Sequence, residues 1–261
     1  MSRISEALAG KKNLITFVTG ADPDVATSKE IIRAMARAGA SLIEIGIPFS
    51  DPVAEGPVIQ EANERALSNG TTTDDIFDMV KELSGELSIP LVFLTYINPI
   101  FTYGIEKFFA KCKECGIEGV IVPDLPYEER DEIEDVANRY GIDRITLIAP
   151  TSNERIKMLA KDAKGFIYTV SSMGVTGTRT EFASNIEDVV NQIKSVTDIP
   201  VAVGFGIADA TSANRMANIA GSAIIGSAIV KIVAKEGKNS PEKVYDFVKD
   251  IVDNMNKDYI A

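Results

Sequence analysis

The chain has 261 residues, 45% apolar and 25% charged, enough to bury a large core and too hydrophobic for disorder. With 27 basic against 38 acidic residues the formal net charge is −11, which disfavours nucleic acid and anionic membranes as partners. Histidine is absent, which excludes a Ser-His-Asp triad, a Cys-His pair and a histidine-ligated metal centre.

In chain order, residues 1–13 carry no apolar signal-peptide core, and no apolar run approaches the length of a membrane span. A cytoplasmic protein is therefore expected. Residues 2–9 read as a short helix closing one end of the fold. Eight β-branched runs follow, at 14–19, 42–47, 91–96, 119–124, 144–149, 166–170, 201–206 and 222–226. Each is nearly continuously apolar, the pattern of parallel strands covered by helices. Gly39, Gly116, Gly141, Gly165 and Gly221 stand just ahead of strands, where helix C-caps belong. The repeated βα unit, without linkers, predicts a single-domain α/β fold over 1–261, a (β/α)8 TIM barrel. An open doubly wound sheet would normally follow its first strand with a Gly-rich dinucleotide loop, and here the first run leads into TGADPD. Long loops are expected after the second and sixth strands, the first of them covering 49–70. Cys112 and Cys115 form a CxxC before Gly116, with no further cysteine or histidine to complete a zinc site. They read as ordinary helix cysteines.

In such a barrel the chemistry sits at the C-terminal ends of the strands. No lysine stands at those ends, which disfavours a Schiff-base aldolase. The reactive candidates are Glu44, Asp51, Glu55, Asp124, Tyr96 and Tyr168. Glu44 lies within LIEIGI, so its carboxylate is expected inside the barrel, either as a catalytic acid or in a buried ion pair. Glu55, in SDPVAEGP, is held on a stiff loop or is a solvated loop acid, and Asp51 fits a turn before Pro52 equally well. After the seventh run come Gly204 and Gly206, and after the eighth come Gly226, Ser227 and Ala228. Their backbone amides suit a phosphate, although simple turn geometry also accounts for the glycines.

Together these segments resemble the tryptophan synthase alpha subunit family. The likeness rests on LIEIGIPFSDPVAEGPVIQ at 42–60, FVTGADP at 17–23, PDLP at 123–126, MGVTGTR at 173–179, GFGI at 204–207 and GSAIVKI at 226–232. It extends over essentially the whole chain. The resemblance implies retro-aldol cleavage of indole-3-glycerol phosphate to indole and glyceraldehyde 3-phosphate, with no cofactor or metal in this chain. It implies that Glu44 is an acid–base group and that Glu55 takes the indole N–H proton. Phe17, Leu94, Tyr96, Tyr168 and Phe205 would line the indole pocket, and Gly177, Gly206, Gly226 and Ser227 the phosphate site. Thr176 would lie on a loop that closes over the substrate and engages the second carboxylate. A beta subunit carrying pyridoxal phosphate is the implied partner, in an α2β2 heterotetramer.

One departure stands out: the family's usual residue at position 55 is aspartate. Glutamate keeps the chemistry but reaches about 1.5 Å further, and misplacement by about an ångström costs roughly a hundredfold. Ser172 and Met173 also replace more polar residues. Two other readings therefore stay open, a weakly active barrel that mainly activates a beta subunit and a stand-alone lyase that releases indole.

Overall fold

A computed structural model describes residues 2–150, 153–170, 179–204 and 206–257. The strands are β1 (Asn13–Thr19), β2 (Leu42–Gly46), β3 (Leu91–Leu94), β4 (Gly119–Ile121), β5 (Asp143–Ile148), β6 (Lys164–Thr169), β7 (Val201–Val203) and β8 (Gly221–Ile225). They pair in parallel and in sequence order, and β8 returns to β1 through Asn13↔Ser222 to Thr16↔Ile225, closing the barrel.

Side chains alternate between the two faces of each strand, so an unbroken apolar run supplies two cores. Ile15, Leu42, Val92, Ile121, Ile145, Phe166, Ala202 and Ile224 pack together inside the barrel. Leu14, Val18, Ile43, Ile45, Phe93 and Val120 face outward against the helices. The helices start and stop where their sequences direct. Asp24 caps Val25–Ala38 by accepting the Thr27 N–H at 2.8 Å, and Gly39 ends that helix in the left-handed region.

The N-terminal helix, Arg3–Ala7, plugs the end of the barrel away from the strand C-termini. Ile4 and Leu8 join the interior cluster, each contributing roughly 1.5–3 kcal/mol by burial. The Ser5 hydroxyl donates to the Gly165 carbonyl at 2.7 Å. Replacing Ile4 with aspartate would place an unpaired charge in that plug and open the barrel floor.

Three expectations need correction. Gly39, Gly116, Gly141 and Gly221 are helix C-caps, but Gly165 lies inside β6 with φ 64°, at a register shift opposite Ile145 and Thr146. It is a β-bulge glycine, not a cap. Segment 49–70 is not one loop, because residues Pro57–Ser68 form a helix. Gly56 is its N-cap and Pro57 occupies its first turn, where the missing N–H costs nothing. Several strands also end early. Tyr96 is the N-cap of helix Ile97–Tyr103, and the Asp124 carboxylate accepts the Ile97 N–H at 3.0 Å, so both lie in turns beyond β3 and β4.

Both cysteines lie in helix Ile105–Cys115 and are buried, and burial pushes both thiols up, Cys115 to about 11. No helix among the described residues is long and apolar enough to cross a membrane.

Candidate active site

Glu44 follows Leu42 by two residues on β2 and so shares its inward face. The register sets it beside Phe17 of β1 and Val92 of β3. Its side chain is 1% exposed, and Oε1 has no hydrogen-bond partner among the described residues. Among the described residues no charge or donor offsets the loss of water, and burial raises its pKa from 4.5 to about 8. No described basic side chain pairs with it, which disfavours the ion-pair alternative. At neutral pH this carboxyl is largely protonated and can give up its proton, and the resulting carboxylate can recover one. Tyr168 is close enough for the Glu44 charge, together with burial, to raise its phenol well above the ordinary value.

Phe17, Leu94 and Tyr168 lie above the barrel core on inward-facing positions. Phe17 and Leu94 pack with Ala62, Val58 and Ile59 of helix Pro57–Ser68 and with Val230 of helix Ser227–Glu236. Three glycines make room for these rings, among them Gly46, where a Cβ would sit 2.9 Å from Phe17 Cζ. A Cβ at Gly226 would sit 3.1 Å from Phe17 Cδ1, and one at Gly204 would come within 2.6 Å of Tyr168 Cε1. Their first use is to admit aromatic rings, which the sequence alone assigns to turns or to phosphate.

Glu55 is not a solvated loop acid. Its Oε2 accepts from Asn63 Nδ2 at 2.7 Å, and the Tyr96 hydroxyl is near enough to lower the pKa of the same carboxylate. That hydroxyl in turn accepts the Ala54 N–H at 3.2 Å, while Gln60 Nε2 donates to the Glu55 carbonyl at 2.8 Å. Burial raises the Glu55 pKa, and the Asn63 bond and the nearby Tyr96 hydroxyl act in the opposite direction. The two carboxylates thus differ in kind: Glu44 is dry and has no described partner for Oε1, whereas Glu55 is partly exposed and held by a donor from Asn63.

The helix that supplies Asn63 is itself anchored. Arg65 Nε and Nη2 form a forked pair with Asp22 at 2.9 and 2.8 Å, and Asp22 is 1% exposed. Sequence reading missed Asn63, Asp22 and Arg65 as parts of the site. Asn63 carried a signal in hindsight, since it stands next to Ala62 and one turn before Ala66 on the buried side of its helix.

Next to helix Pro57–Ser68, Gly226 is the N-cap of helix Ser227–Glu236, and no side chain caps it. The first-turn amides of that helix, including Ser227 and Ala228, have no carbonyl partner within the helix and can meet an anion. Gly206, with φ 64°, adjoins this rim after β7. Asp51 is exposed beside the Ser50 hydroxyl, and the Asp124 carboxylate accepts from the Ile97 amide. Thr176, Gly177 and Phe205, with Ser172 and Met173, lie outside the described residues.

A cavity of about 650 Å³ lies at the other end of the barrel, lined by Leu8, Lys11, Lys194, Ile199 and Ser222 among others. It contains neither carboxylate and is not the site described above.

A family model described as tryptophan synthase alpha chain matches residues 5–259. A tryptophan synthase alpha chain from Lacticaseibacillus casei is 47% identical over 251 residues, covering 96% of this chain and 94% of its own. Among solved structures, the tryptophan synthase alpha subunit of Legionella pneumophila strain Paris superposes with a TM-score of 0.89 at 31% identity, covering 98% of this chain and 99% of that one. A chain from the tryptophan synthase α2β2 complex of Pyrococcus furiosus gives 0.82 at 34% identity, covering 93% and 98%.

Proposed function

The chain belongs to the tryptophan synthase alpha chain family, and from that premise we propose how its own residues cleave indole-3-glycerol phosphate into indole and glyceraldehyde 3-phosphate. The observation that carries the proposal is Glu44, a carboxyl raised to about 8 by burial with no countercharge among the described residues. Such a group is still an acid at neutral pH, and it stands one unit from giving up its proton.

Indole leaves poorly as a carbanion, so the C3 carbon must gain a proton before the carbon–carbon bond breaks. Glu44 delivers that proton while Glu55 takes the N1 proton, which spares the ring a full positive charge. Glu44, now a carboxylate, removes the proton of the glycerol hydroxyl next to C3. The C–O bond becomes the aldehyde carbonyl, the carbon–carbon electron pair returns to the ring, and Glu55 restores the N1 proton. Both carboxyls end as they began, and no step requires a cofactor.

Phe17, Leu94, Tyr96, Tyr168 and Phe205 are assigned to the indole pocket, and Gly177, Gly206, Gly226 and Ser227 to the phosphate. Thr176 is assigned to loop closure. The packing of Phe17 and Leu94 between two helices supports the first group, and the uncapped helix start at Ser227 supports the second. We further assign residues 1–261 to one barrel domain in the cytoplasm. Its partner is a beta subunit in an α2β2 assembly, as in the Pyrococcus furiosus complex, and pyridoxal phosphate belongs to that partner.

Indole release from indole-3-glycerol phosphate, measured with and without a beta subunit, tests the proposal. Stoichiometric indole and glyceraldehyde 3-phosphate are expected in both cases. Binding of the substrate without cleavage, even with the partner present, would overturn it.

A further inference from the structure

Glutamate at position 55 raises a geometric question, since its extra methylene adds reach and a freely rotating bond to a group that must meet one nitrogen. The answer lies on helix Pro57–Ser68. Asn63 is 4% exposed, and its amide donates to Glu55 Oε2 at 2.7 Å. Two residues further on, Arg65 is locked to the buried Asp22 by two hydrogen bonds, which fixes the helix against the β1 loop. The Tyr96 hydroxyl, after β3, also acts to lower the pKa of this carboxylate. The carboxylate is thus held from an anchored helix, although the residue itself belongs to a loop.

We propose that Asn63 is a positioning residue for this reaction, matched to glutamate, which fixes the reach and the ionisation of Glu55. The inference rests on the reading of Glu55 as the acceptor of the indole N–H proton. The match is one of length. Shortening the acid by one C–C bond, about 1.5 Å, would stretch the Asn63 contact to about 4 Å, beyond hydrogen-bond range. Asn63 therefore serves a glutamate and leaves an aspartate at the same backbone position unheld. A donor on an anionic oxygen also favours the ionised form, which is the form that accepts a proton.

The test is a double-mutant cycle on the full chain, read by single-turnover cleavage of indole-3-glycerol phosphate for wild type, Asn63→Leu, Glu55→Asp and the double variant. Leucine keeps the branched shape of asparagine without the donor, and Asn63→Ala serves if the larger leucine does not fold. In the glutamate background the rate is expected to fall roughly tenfold to a hundredfold, the value of a hydrogen bond to a charged group. In the aspartate background the same change is expected to matter less than about twofold. The acid limb of the pH–rate profile of Asn63→Leu should move to higher pH, because Glu55 loses a bond that lowers its pKa. Equal losses in both backgrounds, or an unmoved acid limb, would show that Asn63 only supports the helix and would overturn the inference. A Glu55→Ala control separates the two levels. If that variant cleaves at the wild-type rate, Glu55 is not the proton acceptor and the reading beneath the inference fails with it.

Discussion

Replacing Glu44 with glutamine removes the acid while keeping the shape, and the structure sets the size and sign of the effect on stability. In the unfolded chain the carboxyl titrates near 4.5, and in the fold near 8. Between those values the native state holds a proton that the unfolded state has lost, so wild-type stability falls as pH rises through this window. From pH 5 to pH 9 the loss amounts to about 4 kcal/mol. Glutamine does not titrate, but its amide brings donors into a site with no acceptor waiting, at a cost of about 1–3 kcal/mol at every pH. Urea unfolding of both proteins at pH 5, 7 and 9 should show the variant less stable at pH 5 and more stable at pH 9. The difference between the two proteins should swing by about 4 kcal/mol. Cleavage should meanwhile drop by roughly a hundredfold to ten-thousandfold, the usual value of a general acid–base. A stability difference that stays constant with pH would refute the claim that Glu44 is a buried, unpaired acid.

Glu55→Ala should lose most single-turnover activity, whereas a faster Glu55→Asp would show that glutamate fills the aspartate role at a geometric cost. A beta subunit should raise the wild-type rate by closing the loops, measured as the ratio of rates with and without it. Gly226→Ala would push a methyl within 3.1 Å of Phe17, and kcat/KM should fall roughly tenfold as that ring shifts, an effect absent if the glycine serves only a turn. Arg65→Ala leaves the buried Asp22 without its partner and should cost about 2–4 kcal/mol in urea unfolding, with a neutral result contradicting the anchoring role.

The barrel was legible because its strand runs are apolar on both faces and recur with C-cap glycines, signals that depend on neighbours a few residues apart. Glu44 was legible for the same reason, as one charge in an apolar strand. The partners of Glu55 were not. Asn63 meets it across the start of a helix that reads as a loop in the sequence, and Tyr96 approaches the same loop from the turn after β3, through the Ala54 amide, a proximity that comes from barrel closure. Gly165 misled because a bulge and a C-cap both call for a left-handed residue, and only the Ile145/Thr146 register shift separates them. Helix Pro57–Ser68 was hidden by its own start signal, since Gly56 and Pro57 serve a loop as readily as an N-terminus. The glycines of the phosphate rim were read for their ligand, and the rings of Phe17 and Tyr168 that press on Gly226 and Gly204 appear only once the strands close.

The central claim is that two carboxyls in unlike surroundings divide the proton transfers, Glu44 as the acid and Glu55 as the acceptor. Single-turnover cleavage of indole-3-glycerol phosphate across pH 4–10 tests it most directly. A bell-shaped profile is expected, with a falling limb near pH 8, where Glu44 loses its proton, and a rising limb that disappears when Glu55 is replaced by alanine. A rate that keeps climbing through pH 8 to 10, with Glu44 intact, would contradict it.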